Sequence, residues 1–249
     1  DILFGTQDGD ILYYRYDGTK FVYDDSATGY VFGDINGRPI YNLTARMGDV
    51  LDFKDGPELI IGYTYAGNFY LKICYLQNVF SLTYLFELAF RLDEYEVSQK
   101  LYALLKYPNI SMPLSFDFAD FDGDGLIDIV LAVEGKLYML WNLGSSDGQN
   151  PSFVLDEEYF DEISELLGGK KAYMPEVVDF NKDGVYDIVV SFWDKKGSTY
   201  FENIGTPRKP MWLEKKQLFA NSIRSLNPTT NFAFNNFTLS PDVLRVIIL

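Results

Sequence analysis

A single phrase recurs along this chain: an acidic residue, three apolar residues, a short gap containing glycine, then a strand rich in aromatics. It runs Asp1-Ile2-Leu3-Phe4 into Gly9-Asp10-Ile11-Leu12-Tyr13-Tyr14, and returns as Glu58-Leu59-Ile60-Ile61 into Gly67-Asn68-Phe69-Tyr70-Leu71. The third copy is Asp128-Ile129-Val130-Leu131 into Gly135-Lys136-Leu137-Tyr138, and the fourth is Asp187-Ile188-Val189-Val190 into Gly197-Ser198-Thr199-Tyr200-Phe201. Successive starts lie 57, 70 and 59 residues apart, and a weaker fifth, Arg245-Val246-Ile247-Ile248-Leu249, falls 58 further on. Each copy predicts a hairpin, a short apolar strand turned by glycine into an alternating one. A spacing near 60 residues accommodates four short strands, the size of a propeller blade. Such a repeat cannot bury both faces alone, so neighbours have to stack.

The expected architecture is therefore all-β: a β-propeller of four-stranded blades in one domain or segment, with units near 1–48, 49–112, 113–174 and 175–249. Asn142-Leu143-Gly144 and Asn203-Ile204-Gly205 turn the chain toward outer strands at Pro151–Leu155 and Pro210–Leu213, and Pro175–Asp179 opens the fourth unit. The second unit is the longest, and Leu101, Leu104 and Leu105 recur there at helical spacing. Both ends of the sequence fall inside strand-like runs, so the expectation is an arc of a larger ring rather than a closed four-bladed one.

Composition narrows the function classes. The chain of 249 residues is 47% hydrophobic and 17% aromatic, enough to fill a core. Its formal net charge of −15 is the wrong sign for neutralising phosphates, which argues against nucleic-acid partners. No apolar run approaches the ~20 residues of a membrane helix. There is no histidine, which removes His-dependent triads and Cys–His pairs. Cys74 is the sole cysteine and reads as a buried thiol, with no internal disulfide to form.

The chemistry is concentrated just before the third apolar strand, in Asp120-Phe121-Asp122-Gly123-Asp124-Gly125-Leu126-Ile127-Asp128. Carboxylates at positions 1, 3, 5 and 9 of a loop, with a backbone carbonyl at 7, have the spacing that wraps one Ca²⁺ in oxygen. Without a cation, four carboxylates so close repel one another. The fourth unit repeats the pattern as Asp179-Phe180-Asn181-Lys182-Asp183-Gly184-Val185-Tyr186-Asp187, with an amide oxygen at position 3. The competing reading is that Asp, Asn and Gly merely make turns. Two copies in matched register, each leading into the same strand, weigh against it. In the second unit, Asp52-Phe53-Lys54-Asp55-Gly56-Pro57-Glu58 lacks two positions and carries a lysine, so a plain turn without metal is expected. Asp34-Ile35-Asn36-Gly37 also reads as an ordinary turn.

These loops, each followed by an apolar strand, resemble the FG-GAP and VCBS repeats of integrin α-subunit propellers and many secreted microbial proteins. The resemblance is strong in units three and four and loose in one and two. It implies a β-propeller, usually extracellular or at the cell surface, with calcium in the hairpin loops. Carried over residue by residue, Asp120, Asp122, Asp124, Leu126 and Asp128 would form one site. Asp179, Asn181, Asp183, Val185 and Asp187 would form the other. The sequons at Asn42, Asn109 and Asn236 fit a glycosylated surface protein.

Three functions from different classes remain. The first is a non-catalytic structural, adhesive or recognition module binding protein or glycan, with self-assembly into a surface layer or filament as one form of it. The second is a polysaccharide-degrading enzyme, for which Glu157, Glu158, Asp161, Glu162 and Glu165 qualify by residue type, although that stretch reads as solvated surface. The third is a lectin using Trp141, Trp193 and Trp212 as platforms, positions equally suited to core packing. The first reading is the expected one, with calcium as an architectural ion and no catalysis.

Overall fold

The computed structural model describes residues 2–5, 11–24, 34–35, 38–39, 41–51, 58–65, 68–76, 86–91, 114–146, 152–169, 172–192 and 198–215. The strands are short, antiparallel, and paired with their sequence neighbours. The first sheet holds β1 (Ile2–Gly5), β2 (Ile11–Tyr16) and β3 (Phe21–Tyr23), and a small ribbon pairs β4 (Asp34–Ile35) with β5 (Arg38–Pro39). The second sheet contains β6 (Tyr41–Gly48), β7 (Glu58–Tyr65), β8 (Asn68–Leu76) and β9 (Phe86–Arg91). The third contains β10 (Ser115–Ala119), β11 (Asp128–Val133), β12 (Lys136–Asn142) and β13 (Phe153–Asp156). The fourth contains β14 (Ala172–Val178), β15 (Asp187–Phe192), β16 (Ser198–Asn203) and β17 (Trp212–Lys215). Among the described residues the sheets do not close into a ring, and no helix is long and apolar enough to cross a membrane.

The recurring apolar phrase forms the second strand of each four-stranded sheet, which is flanked on both edges and covered on both faces. That is why it reads as a continuous apolar run instead of an alternating one. Every residue of β11 is buried, as are all but the last of β7. The preceding strand is harder to see because charges interrupt it. Accordingly β6 pairs with β7 and belongs to the second sheet, so the expected boundary at 48/49 falls between two strands of one sheet.

Register aligns the units. Gly48, Ala119 and Val178 end their strands opposite Glu58, Asp128 and Asp187, respectively. With that alignment, alternate residues face alternate neighbours. One core lies between the second and third sheets, where Ile60, Phe69, Leu71 and Ile73 meet Phe116, Ile129, Leu131 and Leu140. A second lies between the third and fourth, where Val130, Met139 and Trp141 meet Ile188, Val190, Phe201 and Trp212. Fully burying each such side chain contributes about 1.5–3 kcal/mol. The far face of the fourth sheet differs in kind. At the register positions of Ala132, Leu137, Met139 and Trp141 it carries Ser191, Ser198, Tyr200 and Glu202. The hydroxyls of Ser191 and Ser198 lie 2.9 Å apart across the strands.

The same alignment places Arg46, Asp117 and Glu176 at one position of three successive first strands. Their side chains converge. Arg46 donates from Nε to the Phe116 carbonyl at 2.9 Å and from Nη2 to Glu176 Oε1 at 2.5 Å, while Nη1 lies 3.7 Å from Asp117 Oδ1. Asp117 Oδ2 in turn accepts the Val177 N–H at 2.7 Å. One guanidinium thus joins three sheets and serves two carboxylates. Burial, with Asp117 adding to it and Arg46 opposing, pushes the Glu176 carboxyl up to about 7.

A helix stands where a solvated acidic stretch was expected: α1, Asp161–Leu167. Ile163 and Leu167, four apart, are buried, Asp161 and Glu162 sit in the first turn where the helix dipole favours them, and Gly168 closes it in a left-handed conformation. Glu162 is more than surface, since its Oε2 accepts the Trp212 N–H at 2.9 Å and ties α1 to β17. The leucines at 101, 104 and 105, the loop at 52–57, the sequons at Asn109 and Asn236, Trp193, the fifth start at 245–249 and the side chains of Asn42 and Cys74 lie outside the described residues.

Candidate metal centre

The two acidic loops connect equivalent strands, β10 to β11 and β14 to β15, and share one hydrogen-bond scheme. At position 1, Asp120 accepts the N–H groups of Gly123 (2.8 Å), Asp124 (3.1 Å) and Gly125 (3.0 Å). Asp179 likewise accepts those of Asp183 (3.1 Å) and Gly184 (3.0 Å). At position 3, Asp122 and Asn181 accept the N–H of the residue two along, at 3.2 and 3.0 Å. At position 5, Asp124 accepts from Leu126 at 2.9 Å and Asp183 from Val185 at 2.8 Å. Asp120 Oδ1 uses both lone pairs on the backbone, while Asp120 Oδ2 and the oxygens of Asp122 and Asp124 that hold the loop each keep one, so the scheme fixes the loop and still leaves acceptor capacity.

The scheme demands left-handed backbone at two positions. Position 6 is glycine in both loops, at φ 90° and 86°. Position 4 is Gly123 in the first loop, at φ 77°, but Lys182 in the second, at φ 62°. A lysine there bears the steric cost of the left-handed region, about 1–2 kcal/mol. Lys182→Gly is therefore expected to stabilise the protein by about 0.5–1 kcal/mol, net of the greater freedom glycine gives the unfolded chain. Equilibrium urea unfolding measures it, and a loss of stability would show that the lysine side chain holds something the backbone argument misses.

In the first loop the geometry brings Asp120, Asp122 and Asp124 together, with one carboxylate oxygen from each within 4.8 Å of the others. That is a donor set for a hard divalent cation, which prefers oxygen and tolerates irregular geometry. In the second loop Asn181 replaces the middle carboxylate, and its Nδ2 donates to Asp183 Oδ2 at 2.8 Å and to Glu202 Oε1 at 3.1 Å. Glu202 is also ion-paired with Lys215. Leu126 and Val185 occupy position 7 of their loops, where the donor to an ion would be the backbone carbonyl.

Position 9 has a structural role whether or not it also meets an ion. Asp128 is buried outside the three-carboxylate group, and its oxygens accept the Phe121 N–H at 3.1 Å and the Asn142 N–H at 2.8 Å. Asp187 repeats this with Phe180 at 3.2 Å and Asn203 at 2.9 Å, and adds the Tyr200 hydroxyl at 2.6 Å. Both are brackets that clamp the loop to the end of the third strand. Burial pushes Asp128 up to about 7 against the pull of those two N–H groups, with Asp122 and Asp124 adding to the rise. Asp187 is raised for the same first reason. Glu58 holds the equivalent place in the second sheet and accepts from Val50 (2.8 Å) and Leu51 (3.1 Å), both through Oε2, so the loop-side half of the bracket persists where the loop sequence has diverged.

One residue at this site was invisible to sequence reasoning. Arg208, on the turn between β16 and β17, pairs through Nη2 with Asp122 Oδ2 and lies 4.1 Å above the Trp141 ring. Its turn is held by the reciprocal Thr206–Lys209 backbone bonds and by the Tyr159 hydroxyl, which donates to the Pro207 carbonyl at 2.6 Å. Nothing in the linear spacing relates Arg208 to Asp122. Only stacking of the fourth sheet on the third brings them together.

Trp141 and Trp212 are buried in the core between the third and fourth sheets, packed edge-on against Tyr159. A surface depression of about 510 Å³ lies beside Lys136, Trp141, Asp156, Glu157, Glu158 and Asp161. Within it, Asp156 accepts from the Glu158 and Tyr159 N–H groups and from Trp141 Nε1, and Asp161 pairs with Lys136 at 3.0 Å.

No curated protein matches the chain. Residues 120–190, which run from the first acidic loop through the second and into β15, match the family model described as an FG-GAP-like repeat, and through that stretch the chain carries repeats of the FG-GAP family.

Proposed function

We propose that the chain is a non-catalytic, calcium-binding β-propeller, whole or in part, that serves as a structural, adhesive or recognition module outside the cell or on its surface. The observation that carries the reading is the repeated loop: two sequences with the same internal hydrogen bonds at positions 1, 3 and 5, one of which gathers three carboxylates within 4.8 Å. Calcium bound there would neutralise charges that otherwise repel, so its binding free energy would add to folding free energy. Asp120, Asp122 and Asp124 would hold the first ion. Asp179, Asn181 and Asp183 would hold the second, more weakly for want of one charge. The propeller reading is supported by sheets of equal register stacked face to face and by the family match.

Several features favour a scaffold over the alternatives. Trp141 and Trp212, two of the three tryptophans a lectin would use as platforms, are core residues, and Asp156 and Asp161 are already engaged. Leu143 and Val154 in the third unit, and Ile204 and Leu213 at the same positions in the fourth, are exposed and apolar, which suits a repeated contact surface.

Thermal unfolding in calcium and in chelator tests the reading. Chelation is expected to lower Tm by several degrees, as a loss of ~1–3 kcal/mol would in a domain of this size. Calcium should restore it and magnesium should do so poorly, because magnesium demands a tighter octahedron. Asp124→Ala should reproduce much of the chelator effect in calcium and add little to it in chelator. Superimposable melts with and without calcium would sink the proposal.

A further inference from the structure

The first acidic loop already faces a cation of the chain's own making. Arg208 is brought by the following sheet, braced on the Trp141 face at 4.1 Å, and ion-paired with Asp122. The Asp122 side chain is only 6% exposed although that of Arg208 is 51% exposed, so a half-solvated guanidinium covers a carboxylate shielded from water, and the charge-assisted contact offsets part of what that shielding costs. Cation–π stacking on tryptophan adds to the hold. Among the described residues the second loop has no such cationic partner in its middle position, where Asn181 is neutral and engages Asp183 and Glu202 instead. The two loops, alike in backbone, therefore differ in what a metal ion must displace.

The geometry points to Arg208 as a built-in competitor for the first loop: a divalent ion and the Arg208 guanidinium draw on the same Asp122 carboxylate, so filling the loop releases Arg208 from Asp122 and from Trp141. This inference rests on the calcium reading above and goes beyond it, since it makes the joint between the third and fourth sheets respond to the ion. Competition of this kind is reciprocal. Whatever Arg208 subtracts from ion affinity, the ion subtracts from Arg208 docking.

The test is calorimetric titration of the intact chain, stripped with chelator, using calcium alone, on wild type, Arg208→Gln and Asp124→Ala. Arg208→Gln is expected to tighten binding at the Asp124-dependent site about fivefold or more, the lower range of such couplings, and to leave the other site unchanged. The same variant should lower Tm in chelator and leave it near wild type in calcium, an asymmetry that a purely structural arginine would not produce. Wild type should show a Trp fluorescence change on calcium addition that shrinks in Arg208→Gln. Weaker or equal calcium binding in Arg208→Gln would overturn this inference while leaving the calcium reading intact, whereas no calcium heat from any of the three would overturn both.

Discussion

Arg46→Ala is expected to destabilise the protein by roughly 3–5 kcal/mol, the usual result of removing one member of a buried charged cluster. The guanidinium is a positive charge shared by Asp117 and Glu176, and it also satisfies the Phe116 carbonyl. Without it, two carboxylates from adjacent sheets face each other in a poorly solvated site. The loss should depend on pH. Glu176 ordinarily titrates near 4.5 and is pushed up to about 7 here. Folding thus favours its protonated form, so its contribution to stability is fully present below 4.5 and is lost as pH rises through about 7. At pH 5 the variant needs to accommodate little more than the Asp117 charge, and at pH 8 it has either to carry both charges or to hold Glu176 protonated against the solution, because the group that drew Glu176 down is gone. Urea unfolding at the two values should show a larger deficit for Arg46→Ala at pH 8. An equal deficit, or a larger one at pH 5, would mean that Glu176 stays ionised throughout.

Asp128→Ala should cost about 2–4 kcal/mol, from two buried N–H groups left without an acceptor. What distinguishes it from Asp124→Ala is its indifference to calcium. Phe121 and Asn142 lose their acceptor whether or not an ion is present, so the deficit should be of similar size in calcium and in chelator. If the whole effect vanished on chelation, Asp128 would be acting as a ligand and its bracket would be incidental. Asp187→Ala gives a second reading of the same role, with the Tyr200 hydroxyl as an additional orphan.

Much of this was legible because it is local. The second strand of each sheet is buried on both faces and announces itself as an unbroken apolar run. The acidic loops announce themselves because a tight turn of alternating Asp and Gly has few other uses. The strands before them were harder to read, since Arg46, Asp117 and Glu176 look like ordinary surface charges until three sheets place them at one point. The same blindness hid Arg208, whose partner belongs to another sheet, and cast Glu162 as solvated when its carboxylate holds Trp212. Position 9 was a subtler case. Its conserved spacing within the two loops fits an ion ligand and a backbone clamp equally well, and only burial tells them apart. What sequence conveys poorly here is not residue type but the direction from which a neighbour arrives.

On the far face of the fourth sheet the polar groups answer one another, where the third offers leucine, methionine and tryptophan: Ser191 meets Ser198, the Tyr200 hydroxyl binds Asp187, and Glu202 pairs with Lys215. A dry greasy wall grips its neighbour by shape, whereas a wall whose hydrogen bonds close within its own sheet uses them to hold that sheet's strands and loop together. The two cores therefore bind sheet to sheet, and the far face of the fourth binds strand to strand.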